Sequence, residues 1–218
     1  MNTHSPIVFF HAPHSRSSAT RAMLEELGAP YDMVALNLTA AEQRTPDYLA
    51  INPMGKVPAI RDEGVLITEQ PAILMHLADL YPEKELAPRP GDPLRGAWLR
   101  WMVFYGSCFE PAMMDFSRKR EPVPPMQCGY GDYDSVMHVV AAQLERGPWL
   151  LGERFTAADV LWGGALNFGL MMKLVPNWPV FREYARRVQA RPAIRRAFEL
   201  DEALAAEQAR ELADALAA

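Results

Sequence analysis

The hydrophobic pattern of this chain changes period once, and the change falls at residues 82–93, where four prolines, a glycine and several charges interrupt it. Before that segment, short apolar runs of strand length alternate with stretches whose apolar residues recur every three or four positions. After it, every patterned stretch has the helical period. A sequence of this kind requires an α/β unit followed by an all-helical one, because a helix-period pattern does not bury its apolar face as a strand.

In the first part, Ile7 to Phe10 form an apolar run that ends at His11-Ala12-Pro13. A helix is expected over residues 17–27, with Ala19, Met23 and Leu27 on one face, Gly28 as its stop and Pro30 behind it. Residues 31–36 read as a second strand, and 40–49 as a short polar helix leading to Asn52-Pro53-Met54-Gly55. Strands over 58–61 and 65–68 are joined by Asp62-Glu63-Gly64, a hairpin signal whose two acids form its tip rather than an acid/base pair. Pro71 then opens a helix carrying Ile73, Leu74, Leu77 and Leu80. The order strand, helix, strand, helix, strand, strand, helix is thioredoxin-like. The expected fold is thus an α/β thioredoxin-like N-terminal domain (1–82), a linker (83–91) and an all-α helical bundle domain (92–218).

The bundle is expected to contain helices over 92–116, 133–146, 156–174, 178–190 and from 192 to the end, with a Pro- and Gly-rich loop at 119–131. Thr156 and Asp159 have capping-box spacing, flanked by Phe155 and Val160 as a hydrophobic staple, a purely structural device. The Ala/Glu-rich tail reads as a fraying terminal helix without a functional part.

Composition excludes other classes. Half of the 218 residues are hydrophobic, which excludes disorder, and the net charge of −5 without a basic cluster makes nucleic acid an unexpected partner. The longest apolar-rich stretch, 160–175, holds Asn167, Lys173 and three glycines, and is shorter than the roughly 20 residues of a membrane span. Residues 1–10 lack a basic segment before their apolar run, so no secretory signal and no membrane association are expected. Two cysteines, Cys108 and Cys128, are too few for a disulfide framework and fit a reducing, cytoplasmic compartment. The five histidines have no metal-ligand spacing; His11 and His14 are expected to be solvated, and no metal is expected.

Four ordered segments resemble the cytosolic glutathione transferase family, with bacterial Ser-type members the nearest in pattern: His14-Ser15-Arg16-Ser17 running into Leu24-Glu25-Glu26-Leu27-Gly28-Ala29-Pro30-Tyr31; Asn52 to Ile60; Leu66 to Leu74; and the capping box. The resemblance implies glutathione as co-substrate, a hydrophobic electrophile as second substrate, a homodimer, and a cis bond before Pro58; isomerisation, dehalogenation or peroxide reduction by the same thiolate, or glutathione binding without turnover, stay open beside transfer. Glutathione carries an amine, two carboxylates and a thiol. At a pKa of about 8.5 that thiol is only about 3% ionised at pH 7, so its site must stabilise a thiolate.

Hydroxyl and backbone N–H donors at a helix N-terminus suit that task. Ser15 is the expected thiol-activating residue on the Ser-Arg-Ser pattern; an ungapped count from Gly28 falls on His14 instead, and Ser17 stands at the helix start, so all three stay open. A lone Ser at such a place ordinarily caps the helix. No Tyr or Cys occurs between Phe10 and Leu24, which disfavours classes activating through either.

For the rest of the ligand, the resemblance implies Val57 and Pro58 for the cysteinyl backbone, Glu69 and Gln70 for the γ-glutamyl end, and Arg44 and Lys56, with Gln43 weaker, for the glycyl carboxylate. Trp101, Phe104, Tyr105 and Cys108 form one helical stripe, ordinarily core. Tyr105, Cys108 and Met113, and more loosely Phe116, are the expected second-substrate residues, with Cys108 a small hydrophobe rather than a nucleophile.

Overall fold

A computed structural model describes residues 6–217; residues 1–5, read above for a targeting signal, lie outside it. In chain order the elements are β1 (Ile7–His11), α1 (Ser17–Leu27), β2 (Tyr31–Ala35), α2 (Pro46–Ile51), β3 (Ala59–Asp62), β4 (Val65–Thr68), α3 (Gln70–Leu80), α4 (Arg95–Phe104), α5 (Glu110–Ser117), α6 (Tyr133–Leu144), α7 (Ala157–Met171), α8 (Pro179–Gln189) and α9 (Pro192–Ala217). A π-helical turn, Tyr105–Phe109, joins α4 to α5. No helix among the described residues is long and apolar enough to cross a membrane.

The sheet has the order β2-β1-β3-β4, with β1 parallel to β2 and antiparallel to β3, and β3 antiparallel to β4. Alternation along β1 sends Ile7, Phe9 and His11 to one face, each fully buried. On the other face Phe10 joins Leu36, Tyr48 and Ala59 in a second cluster. Two residues, Glu63 and Gly64, connect Asp62 to its partner Val65, both with positive φ (46° and 85°), as a tight primed turn requires. Asp62 is therefore not a free tip: it is buried, and His76 Nε2 lies 2.7 Å from its carboxylate.

The polar helix expected over 40–49 is divided into a 3-10 turn, Glu42–Arg44, and α2. Pro46 explains the division, since proline is tolerated in a first helical turn but not in an interior; Thr45 accepts the Tyr48 N–H at 3.4 Å and sets the start.

The chain forms two compact units, and they differ from the division drawn at the prolines. One comprises the residues up to Leu77 together with those from Pro192 onward; the other runs from Ala78 to Arg191. The last helix belongs to the first unit because α9 lies along α1 and places Asp201, 2% exposed, among α1 and β1 polar groups. It is not a fraying tail.

In the second unit, Trp101, Phe109 and Trp162 are buried in one aromatic cluster, and Trp162 Nε1 donates to the Trp101 carbonyl at 3.1 Å. The capping box forms as expected and does more than cap. Besides the Thr156 N–H (2.8 Å) and hydroxyl (3.2 Å), the fully buried Asp159 carboxylate accepts the Leu150 N–H (2.7 Å) and the Tyr184 hydroxyl (2.8 Å). Burial pushes the carboxyl up to about 6, and these donors offset part of that rise.

Asp159→Asn turns an amide toward donors that need an acceptor, and is expected to destabilise the protein by about 3 kcal/mol at pH 7. Because the folded value lies above the ordinary 3.8, the stabilising share of this carboxyl is complete below that value and is lost as pH rises through about 6. Urea unfolding of both proteins between these limits tests this: the wild type gains stability on acidification and the variant lacks that gain. Equal midpoints for the two proteins would refute the assignment.

Candidate functional site

The turn between β1 and α1 is organised by two hydroxyls. Ser15 Oγ donates to the Ala12 carbonyl (2.8 Å), lies 2.7 Å from Ser17 Oγ and accepts the Ser17 N–H (3.1 Å). It thus satisfies the first N–H of α1, whose cap position is held by Arg16 without a side-chain hydrogen bond. Ser17 is fully buried; its Oγ accepts the Ala12 N–H (3.0 Å) and lies 2.9 Å from the Ala12 carbonyl and 2.8 Å from His11 Nδ1.

Behind Ser17 the chain of polar contacts continues into the protein. His11 Nε2 stands 3.0 Å from Asp201 Oδ1, close but not aligned as a hydrogen bond. Arg21 Nη1 donates to the same oxygen at 3.0 Å, and Ser18 Oγ donates to Oδ2. Burial pushes the Asp201 carboxyl up, but His11, Ser18 and Arg21 outweigh it and hold it below its ordinary value. His11, expected to be solvated, is fully buried. The signal lay in the alternation of Ile7, Phe9 and His11; Asp201 left none, being one acid among many in an Ala/Glu-rich helix.

Ser15 also opens on a cavity of about 260 Å³ whose wall includes His14, Gln43, Gly55, Lys56 and Val57. His14, with φ of 54°, turns its ring outward to Glu202 Oε1 at 2.6 Å. The opposite wall is fixed by its main chain. Tyr48 Oη (2.6 Å) and Asn52 Nδ2 (2.8 Å) both donate to the Lys56 carbonyl, and the Val57-Pro58 bond is cis. Gly55 has φ of 61°, and a Cβ there would lie 2.7 Å from Arg44 Nη1, so glycine lets the guanidinium fold over the loop.

Glu69 holds a left-handed backbone (φ 65°), a conformation that non-glycine residues rarely adopt. The Gln70 side chain donates to the Arg16 carbonyl at 2.7 Å and so braces the turn bearing Ser15. A second cavity of similar size is lined by Glu42, Glu207 and Glu211, the wrong sign for an anionic ligand.

In the helical unit, the expected second-substrate residues divide. Tyr105 and Met113 are 4% and 2% exposed, and Tyr105 packs on Trp162 with its hydroxyl on Glu110 at 2.9 Å, so both are core side chains. Tyr105 shares the buried face of Trp101, four residues earlier, and the π-helical turn that begins there leads on to the buried Phe109. Cys108 is partly exposed and Phe116 exposed, stacked on Tyr133. Among the described residues no cluster of three or more metal-ligating side chains occurs.

A four-stranded thioredoxin-like sheet with a cis-proline loop beside a serine-bearing turn, in a chain that continues as helices, is the arrangement that the family resemblance implied. The family model "Glutathione S-transferase, N-terminal domain" matches residues 5–79. Maleylacetoacetate isomerase of Pseudomonas aeruginosa is 31% identical over 83% of this chain and 90% of its own length. A glutathione transferase from Methylococcus capsulatus superposes with a TM-score of 0.76 at 30% identity, covering 90% of this chain and 98% of that one. A Sulfitobacter homologue solved with bound glutathione gives 0.72 at 28%, covering 89% and 97%. The chain belongs to the glutathione transferase family.

Asp201→Ala leaves the buried Arg21 without its counter-charge and His11 without its neighbour, and is expected to cost about 3 kcal/mol in chemical unfolding at neutral pH. The sign with pH follows from the lowered carboxyl: its contribution is present above the ordinary value of 3.8 and is lost as pH falls through the lower folded value. The gap between wild type and variant therefore narrows on acidification. A gap that stays constant down to about pH 3 argues against the coupling.

Proposed function

We propose that the protein binds glutathione in the first unit, keeps its sulfur as a thiolate through the Ser15 hydroxyl, and transfers that sulfur to a hydrophobic electrophile. The observation that carries this reading is the position of Ser15, half-buried on the same cavity as Lys56 and Val57. Lowering a thiol pKa by about 2 units requires roughly 2.7 kcal/mol of preferential thiolate binding, and one hydrogen bond to a charged group supplies about 1.5 to 3. Ser15 is preferred to its neighbours because the Ser17 oxygen is enclosed by Ala12, Ser15 and His11, while the His14 ring is engaged by Glu202.

In this reading Val57 and Pro58 present the cysteinyl backbone site, Lys56 and Arg44 meet the glycyl carboxylate, and Glu69 with the start of α3 at Gln70 takes the γ-glutamyl amine and carboxylate. The thiolate forms a carbon–sulfur bond, and the electrophile's leaving group departs with the bonding electron pair.

A second reading is favoured by the likeness to the Pseudomonas isomerase: the thiolate adds to a conjugated double bond, the bond rotates, and glutathione leaves unchanged. The two differ in whether glutathione is consumed. A glutathione-binding protein without turnover is a third outcome, marked by retention on immobilised glutathione and no conversion of an electrophile panel. A homodimer is proposed from the family resemblance, and sedimentation at a monomer's mass would dismiss it.

Bound glutathione is expected to show the thiolate ultraviolet band at neutral pH. Ser15→Ala raises the bound thiol's pKa by about 1 to 2 units and lowers kcat/KM about 10- to 100-fold at pH 7. Lys56→Ala instead weakens glutathione binding about tenfold and leaves that pKa in place. An unchanged thiolate band in Ser15→Ala would remove Ser15 from the role.

A further inference from the structure

We infer that His11, buried under the site and braced by Asp201, receives the glutathione thiol's proton through the two serine hydroxyls. The inference rests on the reading of Ser15 given above and extends it to the fate of the proton. Ser15 Oγ opens on the cavity, Ser17 Oγ is 2.7 Å behind it, and His11 Nδ1 is 2.8 Å behind Ser17. His11 and Ser17 are both fully buried, so this path leads away from solvent and ends on an imidazole.

The hydrogen inventory permits the transfer. Nε2, beside the Asp201 carboxylate, carries a hydrogen in the neutral ring, which leaves Nδ1 as an acceptor facing Ser17. The thiol S–H bond breaks and its electron pair stays on sulfur. The Ser15 hydroxyl hydrogen, directed at the Ala12 carbonyl in the structure, first turns to Ser17 Oγ, 2.7 Å away; Ser15 Oγ then takes the thiol proton as its own passes to Ser17 Oγ, and the Ser17 proton passes to Nδ1. Both hydroxyls end neutral with one hydrogen each, and the products are a thiolate and an imidazolium.

Relaxation of the hydroxyls then favours the product. The imidazolium Nδ1–H donates to Ser17, Ser17 donates to Ser15, and Ser15 is free to donate to sulfur, so every donor in the row points at the thiolate. In the neutral state the row runs the other way. The charged groups facing His11 are Asp201 from α9 and Arg21 from α1; Arg21 and Asp201 balance each other, so a proton on His11 makes the cluster net positive directly behind the hydroxyls. His11 touches no substrate and acts through Ser15 as a positioning and proton-holding residue. Its ring also packs against Phe9, at 5.0 Å between centroids, which fixes its plane.

The test counts protons. Glutathione is added to the full-length protein in weak buffer near pH 7 with a pH indicator, and the thiolate band is followed in the same cuvette. In the wild type, thiolate forms and no proton appears in solution. In His11→Asn, whose amide can keep the hydrogen bond to Ser17 but cannot hold the proton, each thiolate formed is expected to release about one proton. Asp201→Asn, which removes the supporting charge with little change of shape, is expected to release protons likewise if His11→Asn does not fold.

A thiolate in the wild type accompanied by stoichiometric proton release overturns the relay and leaves the reading of Ser15 standing. Absence of thiolate in the wild type overturns both. Retention of the proton in both His11→Asn and Asp201→Asn, or its loss in His14→Asn alone, assigns the acceptor elsewhere and also overturns the relay. A His11 that only supports the fold leaves the proton count per thiolate the same in every variant.

Discussion

A buried carboxylate has to be given partners, and Asp201 determines where three segments of the first unit lie. Left alone at 2% exposure it would be strongly destabilising; with Arg21, Ser18 and His11 around it, the charge is balanced and its oxygens are occupied. The arrangement fastens α9 to α1 and fixes one edge of the His11 ring. With Nε2 toward Asp201, Nδ1 has to face Ser17, and Ser17, holding the Ala12 N–H as well, sets the turn from which Ser15 reaches the cavity. The position of the Ser15 hydroxyl thus traces back to a residue 186 positions later in the chain.

The facing wall is fixed by independent means. Tyr48 and Asn52 hold the Lys56 carbonyl, and Gln70 reaches across to the Arg16 carbonyl. Each of these side chains is spent on a backbone group, so the main chain around Val57 is positioned before any ligand arrives, and the ordering entropy of binding is correspondingly lower. Lys56 lies on this wall, with the Arg44 guanidinium folded over Gly55 behind it, whereas the glutamates cluster at the other cavity. Charge alone therefore distinguishes the two cavities for an anionic tripeptide.

The sequence was readable wherever an interaction is local. The periodicity of α1, the Glu63-Gly64 turn and the Thr156–Asp159 box each depend on residues within a few positions, and each formed where the pattern put it. Ser15, Lys56 and Val57 were singled out through motif resemblance, which carries spacing across a family, and the structure brings the three to one cavity. Contacts over long separations left no comparable trace. His11 lost its apolar neighbours' meaning to its polarity, Asp201 was hidden in a solvent-like composition, and the assignment of α9 to the first unit depended on both. Tyr105 follows from the local pattern as well: its place on one stripe with Trp101 marks a core side chain, and the structure buries it there.

The two buried aspartates show why similar burial leads to different chemistry. Asp159 is met only by neutral donors, which cannot fully offset desolvation, and its carboxyl rises to about 6. Its partners close on themselves within the helical unit, and the result is a clasp. Asp201 has a guanidinium and an imidazole beside it, its carboxyl falls, and it is a fixed anion at neutral pH. Its row of partners does not close: Arg21 and Ser18 complete one side, while on the other His11 and Ser17 lead to a hydroxyl at the cavity wall. A fixed anion at the inner end can stabilise a positive charge on the imidazole next to it, and that positive charge lies on the side from which a thiolate at the outer end would be stabilised.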